Sequence, residues 1–230
     1  MKVSLLQHTP DPQRTMALAA RLCYSPVTAA ELSGKMGDAD IEKLLDKIMS
    51  LGHLSVLEHA SFTFGIDGIS RVTSHQLVRH RIASFSQQSQ RYVNLSGSFD
   101  AVTPPSVAER PDLLQRFNEQ LAELQRAYVE LVEAGIPAED ARYLLPNATC
   151  TNIIVTMNAR ELLHFFALRC CERAQWEIRE MAVEMLKLAK GVAPVIFRDA
   201  GPGCVSGGCP EGKMTCGRAA EVRGFFNSLS

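Results

Sequence analysis

The sequence predicts an α+β fold, and three observations lead there. Asp38 to Leu51 carries Ile41, Leu44, Leu45, Ile48 and Met49 at the i, i+3, i+4, i+7, i+8 spacing of an amphipathic helix. Phe62, Phe64 and Ile66 alternate with small or polar neighbours, the period of a half-buried strand. Helical and extended segments follow one another without the regular alternation of a doubly wound α/β sheet.

In chain order, Lys2 to Leu6 reads as a short first strand and Asp11 to Leu22 as a helix with Met16, Ala19 and Ala20 on one side. Gly52 stands where the helix ending at Leu51 needs a C-terminal cap. After the strand at Phe62, Ile69 to Arg81 reads as a helix, Ser84 to Gln90 as a polar loop and Arg91 to Leu95 as a strand. Pro104-Pro105 breaks the chain. Pro111 opens a long helix whose stripe is Leu113, Phe117, Leu121, Leu124, Tyr128 and Leu131, with Gly135 ending it. Pro137 opens a short helix stopped by Pro146. Thr149 to Met157 is a β-type run, and Asn158 caps a helical stretch that reaches Lys190, broken or not. The last 30 residues, crowded with glycine, read as an irregular tail.

Composition bounds the function. The chain has 230 residues, 46% of them hydrophobic and 21% charged, with a formal charge of −1. A near-neutral chain argues against wholesale electrostatic binding to nucleic acid or to an anionic membrane. No apolar run approaches the ~20 residues of a membrane span, and the N-terminal apolar stretch is too short for a signal peptide. Seven sparse cysteines do not suggest a disulfide framework. A soluble cytoplasmic protein is the expectation.

Charge is nevertheless concentrated. No Lys occurs between Lys47 and Lys187, a stretch holding 12 Arg. From Gly68 to Phe99 there is no Asp or Glu, while Arg71, Arg79, Arg81 and Arg91 make a local charge of +4. Such charges repel unless something anionic lies among them. On a helix, Gln76, Arg79 and His80 would share a face. The polar run Ser84 to Gln90 offers hydroxyls and amides suited to phosphate oxygens and heterocycle edges. The chemistry points to an anion site for a nucleotide-like ligand, with a solvated basic helix face as the alternative.

Arg79-His80-Arg81, a polar spacer, then Ser89-Gln90-Arg91 resembles the signature of the flavin-dependent thymidylate synthases. Gly52-His53 and Glu58-His59 upstream fall in the family's order. So do Ala141-Arg142, Asn158-Ala159-Arg160, Leu168-Arg169 and Gln175-Trp176-Glu177 downstream, and the resemblance spans about residues 15–200. It implies a complex α+β fold around an antiparallel sheet, with a synthase domain over 1–200 and a Gly/Cys-rich tail over 201–230. It also implies FAD as cofactor, NADPH as reductant, and transfer of the methylene group of 5,10-methylenetetrahydrofolate to dUMP, giving dTMP and tetrahydrofolate. The enzyme would be a methyltransferase working as a homotetramer with shared active sites.

By position, the resemblance assigns FAD contacts to Ser55 (from a neighbouring subunit), Arg79, His80, Arg81, Gln87, Asn158, Arg160 and His164, with His53 and Glu58 close by. It assigns dUMP contacts to Gln76, Arg79, Gln87, Gln88, Ser89, Gln90, Arg91, Arg142 and Arg169. Arg169 takes the catalytic role, stabilising the ionised uracil ring. Gln87 stands where some members carry Glu, and Ser86 where others carry Asn; both read as tolerated variation. Arg160 and Arg169 are nine residues apart, which at about 100° per residue puts them on opposite sides of an unbroken helix. They would then serve different sites, or the helix must break between them.

The Pro-Cys-His context of the cysteine-dependent thymidylate synthases does not occur here, and Cys170-Cys171 reads as packing. Cys204, Cys209 and Cys216 lack a CxxC pair, so no metal is expected. A non-catalytic nucleic-acid-binding protein using residues 71–91 stands as the alternative function. It requires salt-sensitive binding and no flavin.

Overall fold

The computed structural model describes residues 1–34, 36–95 and 99–229. Four strands, β1 (Lys2–His8), β2 (Ser61–Ser70), β3 (Ala83–Gln87) and β4 (Cys150–Asn158), form one antiparallel sheet in the order β1-β2-β4-β3. The helices are α1 (Pro12–Leu22), α2 (Ala29–Ser33), α3 (Asp38–Leu51), α4 (Arg71–Leu77), α5 (Pro105–Ala108), α6 (Pro111–Glu133), α7 (Ala138–Ala141), α8 (Ala159–Arg169), α9 (Trp176–Val192), α10 (Pro194–Phe197) and α11 (Ala219–Ser228). The mixed order without strand–helix alternation is the α+β arrangement the sequence predicts.

The chain packs as two compact units. One comprises residues 1–2, 66–79 and 85–154, the other 3–65, 80–84 and 155–230. In the first, Tyr128 of α6 is fully buried and its hydroxyl accepts from the Leu95 N–H at 3.2 Å. Gln125, one turn earlier, accepts from the Phe99 N–H and donates to the Leu95 carbonyl, so α6 holds the chain at both residues. In the second, Phe62, Phe165, Phe166 and Phe197 are fully buried and meet edge to face, with centroids 5.6 to 5.8 Å apart. Such geometry sets the positive ring edge against a neighbour's negative face. This core carries β2 and α8, the elements that position the candidate site.

Local signals explain the element ends. Asp11 accepts from the Arg14 N–H at the start of α1. Thr28 and Glu31 form a reciprocal capping box on α2, a helix the sequence reading did not include. α3 spans the predicted residues and ends at Gly52, whose φ of 70° lies in the left-handed region that glycine tolerates.

Four local expectations are corrected. Ile69–Arg81 is not one helix: β2 continues to Ser70, whose hydroxyl caps α4 by accepting from the Thr73 N–H, and α4 stops at Leu77. Gln76 therefore does not share a helix face with Arg79 and His80. Ser84–Gln90 is not wholly a loop, because Ala83–Gln87 is the edge strand β3. Its serines are exposed and Ala83, Phe85 and Gln87 half-buried, a polar alternation suited to a sheet edge. Arg91–Leu95 is a turn, not a strand, since Ser89 accepts the Arg91 N–H on its hydroxyl and the Val93 N–H on its carbonyl. The tail is not irregular throughout: α11 buries Val222 and Phe226.

Candidate active site

Helix α8 begins where β4 ends. Asn158 closes the strand and caps the helix, its side-chain oxygen accepting from the Glu161 N–H at 2.9 Å. A Glu at this third helical position can reach back to the cap in a capping box. Here the buried Glu161 instead turns to His80, with Oε1 3.2 Å from Nδ1. On the other side of the ring, Arg169 Nε donates to His80 Nε2 at 3.0 Å. Arginine has no acceptor, so Nε2 must be the unprotonated nitrogen. His80 is then neutral, with Nδ1–H donating to the Glu161 carboxylate.

The electrostatics agree. Burial and then the Arg169 charge push the His80 pKa below its usual value, while Glu161 pulls it up. Burial also lowers the Arg169 pKa below its usual value, yet a guanidinium stays charged at neutral pH. His164 and Phe165 meet the His80 ring at centroid distances of 5.9 and 4.9 Å. His80, Glu161 and His164 bring their ligand atoms within 4.8 Å of one another, the spacing of a metal triad. The guanidinium donating to His80 Nε2 makes this a poor cation site.

Beside this group lies a cavity of about 680 Å3. Asn158, Arg160, Glu161 and His164 give it polar groups, and Leu54, Ile82 and Leu163 give it apolar walls. Glu58 also lines it and pairs with Arg160 Nη1. The volume falls within the ~300–1,000 Å3 usual for cofactor and ligand sites. α8 is unbroken between Arg160 and Arg169; Arg160 lines the cavity and Arg169 does not.

The dUMP-assigned residues other than Arg169 occupy the unit containing residues 85–154. Gln87 Nε2 donates to Thr151 Oγ1 at 3.2 Å, and Gln88 bonds Asn152 through backbone and side chain. β4 thereby presents Gln87–Arg91 as a defined segment. Arg91 pairs with Glu139, and Arg142 Nε donates to the Glu139 carbonyl at 3.0 Å. Arg71 is half-buried, and burial followed by the Arg142 charge lowers its pKa. Gln76 lies on α4 and is half-buried.

Of the FAD-assigned residues, Asn158, Arg160 and His164 line the cavity, and His80 joins them through Glu161. Ser55, Arg79 and Arg81 are exposed, Ser55 in the 3-10 turn Leu54–His59 whose Leu54 and Glu58 reach the cavity. Two residues escaped the sequence reading: Glu161 was hidden by its capping position, and Glu139 lies far outside the acid-free window. Arg71 was counted in the basic cluster but was given no individual role.

The family model described as thymidylate synthase complementing protein matches residues 4–195. A flavin-dependent thymidylate synthase of Geobacter sulfurreducens is 65% identical over the full length of both chains. One of Clostridium tetani is 48% identical over 98% of this chain and 97% of that one. Among solved structures, a UMP/dUMP methylase, PolB of Streptomyces cacaoi, bound with 5-Br dUMP, superimposes with a TM-score of 0.73. It is 25% identical and covers 85% of this chain and 92% of that one. The match over nearly the whole chain, joined to the Arg79–Arg91 signature, shows that this protein belongs to the thymidylate synthase complementing protein family, that of the flavin-dependent thymidylate synthases.

Proposed function

We propose that this chain is an FAD-dependent thymidylate synthase, converting dUMP to dTMP with 5,10-methylenetetrahydrofolate as carbon donor and NADPH as reductant. The observation that carries the structural side of this reading is the convergence at α8. His80 and Arg169, 89 residues apart, bond directly, beside a cavity lined by Asn158, Arg160 and His164.

The cavity's donor set fits a flavin. Leu54, Ile82 and Leu163 offer apolar surface to a planar ring, Asn158 and His164 offer polar groups to its edges, and Arg160 offers a cation to a phosphate. FAD, when bound and reduced by NADPH, would supply the two electrons that take the transferred carbon to a methyl group. Ser55, Arg79 and Arg81 are exposed, and in a homotetramer with shared sites they would serve the site of a neighbouring copy.

The chain's own residues divide the remaining work. Ser89 and Arg91 hold the dUMP phosphate, helped by Arg142 and by Arg71, whose desolvated charge an anion would compensate. Gln76, Arg79, Gln87, Gln88 and Gln90 position the nucleotide through amide and guanidinium groups. The Arg169 guanidinium faces the uracil ring and stabilises negative charge at ring nitrogen 3, which makes carbon 5 the more nucleophilic. His80, fixed as the neutral Nδ1–H tautomer by Glu161, presents Nε2 to Arg169 and so sets the guanidinium's orientation.

The test is product formation. Given dUMP, methylenetetrahydrofolate, NADPH and FAD, the protein forms dTMP, and omission of FAD stops it. Flavin-independent dTMP synthesis, or none with all four present, contradicts the reading.

A further inference from the structure

Four of the seven cysteines meet in one place outside the site described above. Cys171 lies in the turn between α8 and α9, while Cys204, Cys209 and Cys216 come from the segment between α10 and α11. All four are free thiols and line one small cavity of about 10 Å3, with Arg173 and Pro210 beside them. A space of that size takes a single atom or a water and no organic ligand.

We propose that Cys171, Cys204, Cys209 and Cys216 form a four-thiolate site for a zinc ion that pins the C-terminal segment to the turn after α8.

The segment needs such a staple. From the end of α10 to the start of α11 it contains no strand and a single 3-10 turn, Gly212–Met214. Within residues 201–218 only Gly201, Pro202, Cys204 and Val205 are buried, too little apolar surface to define a conformation. Metal binding supplies that energy in small irregular segments. The backbone is shaped to bring the thiols round. Gly217, directly after Cys216, has a φ of 74°, and Arg223 donates to the carbonyls of Cys204, Val205 and Gly207.

The chemistry selects zinc. Four thiolates are a soft, tetrahedral donor set. Four thiolates on a divalent ion leave a net charge of −2; Arg173 lies on the cavity wall with Glu172 and Glu211, and Glu172 is itself paired with Arg179 and Arg218. A cation among the four removes the mutual repulsion of their thiolates. Among the described residues, the set of candidate ligand atoms within 4.8 Å of one another is His80, Glu161 and His164. The thiols thus border their cavity in an open arrangement, and closing onto an ion at about 2.3 Å requires side-chain rotation. Three of the four cysteines sit on glycine-rich turns that permit it.

The experiment is metal analysis of the full chain, expressed with zinc and purified without chelator. The result expected is about one equivalent of zinc per chain. Cys23→Ser, at an exposed thiol outside the cluster, keeps it, while Cys171→Ser and Cys209→Ser each bind zinc roughly tenfold or more weakly. Cobalt substitution of the wild-type chain counts the sulfurs without relying on a variant's folding. The near-ultraviolet charge-transfer band and red ligand-field bands of a tetrahedral four-thiolate site are expected. Substoichiometric zinc in the wild type overturns the proposal, whether mass spectrometry finds four free thiols or two disulfides. So does zinc held undiminished by Cys171→Ser, or a cobalt spectrum with fewer than four sulfurs.

Discussion

Glu161 accepts one hydrogen bond from His80, and that bond decides which nitrogen of the ring faces Arg169. Removing it by Glu161→Ala frees the tautomer and leaves His80 buried with an unpaired N–H, at a stability cost of about 2 kcal/mol. A guanidinium displaced by even ~1 Å costs on the order of 100-fold in kcat. The dUMP KM stays near wild type. Glu161→Gln keeps an acceptor oxygen and restores most of the rate. A variant pair with equal kcat would show that Glu161 does not position the site.

The same histidine gives the protein a pH dependence of stability. Its folded pKa lies below the ordinary value of 6.5, so the unfolded chain binds the proton first as pH falls. His80 therefore contributes no penalty above about pH 6.5 and an increasing one below it, down through the folded pKa. The thermal midpoint should drop between pH 7.5 and 5.5 by more in wild type than in His80→Gln. Equal slopes would mean that His80 titrates normally. Nearby in sequence but in the other unit, Ser89→Ala removes the proposed phosphate donor and the acceptor for the Arg91 N–H. It weakens dUMP binding by about 5-fold, roughly 1 kcal/mol, with flavin content unchanged.

At the scale of elements, the junction of β4 with α8 carries two functions in one residue. Asn158 caps the helix through its oxygen and also lines the cavity, where its amide NH2 is the proposed flavin donor. Asn158→Ala loses both and costs about 1 kcal/mol, a fall of roughly 2–4 °C in Tm. Asn158→Asp keeps the cap and its stability but loses the donor, so it binds flavin more weakly. Unchanged flavin affinity in Asn158→Asp would reduce Asn158 to a cap.

These junctions also show what the sequence made legible. α3 and α6 were readable because their apolar stripes run for several turns and end at Gly52 and Gly135. β3 was not, because an edge strand needs only half its side chains inside and can be written in Ser and Gln. The boundary at Ser70 was hidden for a different reason: the residue both ends a strand and caps the next helix, so periodicity blurs across it. The residues around His80 were legible only through the motif. Glu161, which holds His80 in place, looks like a helix-cap partner in sequence and takes its meaning from a contact 81 residues away.

For the whole molecule, the account requires association. Tyr24, Tyr92 and Tyr143 are about four-fifths exposed, and Ile82 and Leu168 are exposed as well. Large apolar groups on the surface of one chain suit burial by other copies. Light scattering coupled to gel filtration should give about four times the chain mass of 25.3 kDa. A monomer active at the same concentration would contradict shared sites.

The central claim is that one site holds flavin and dUMP together. The visible absorption spectrum of the FAD-loaded, desalted protein, titrated with dUMP, tests it most directly. The account predicts a retained flavin spectrum that shifts saturably as dUMP is added, with the shift reduced in Ser89→Ala. Loss of flavin on desalting, or a bound-flavin spectrum indifferent to dUMP, would contradict it.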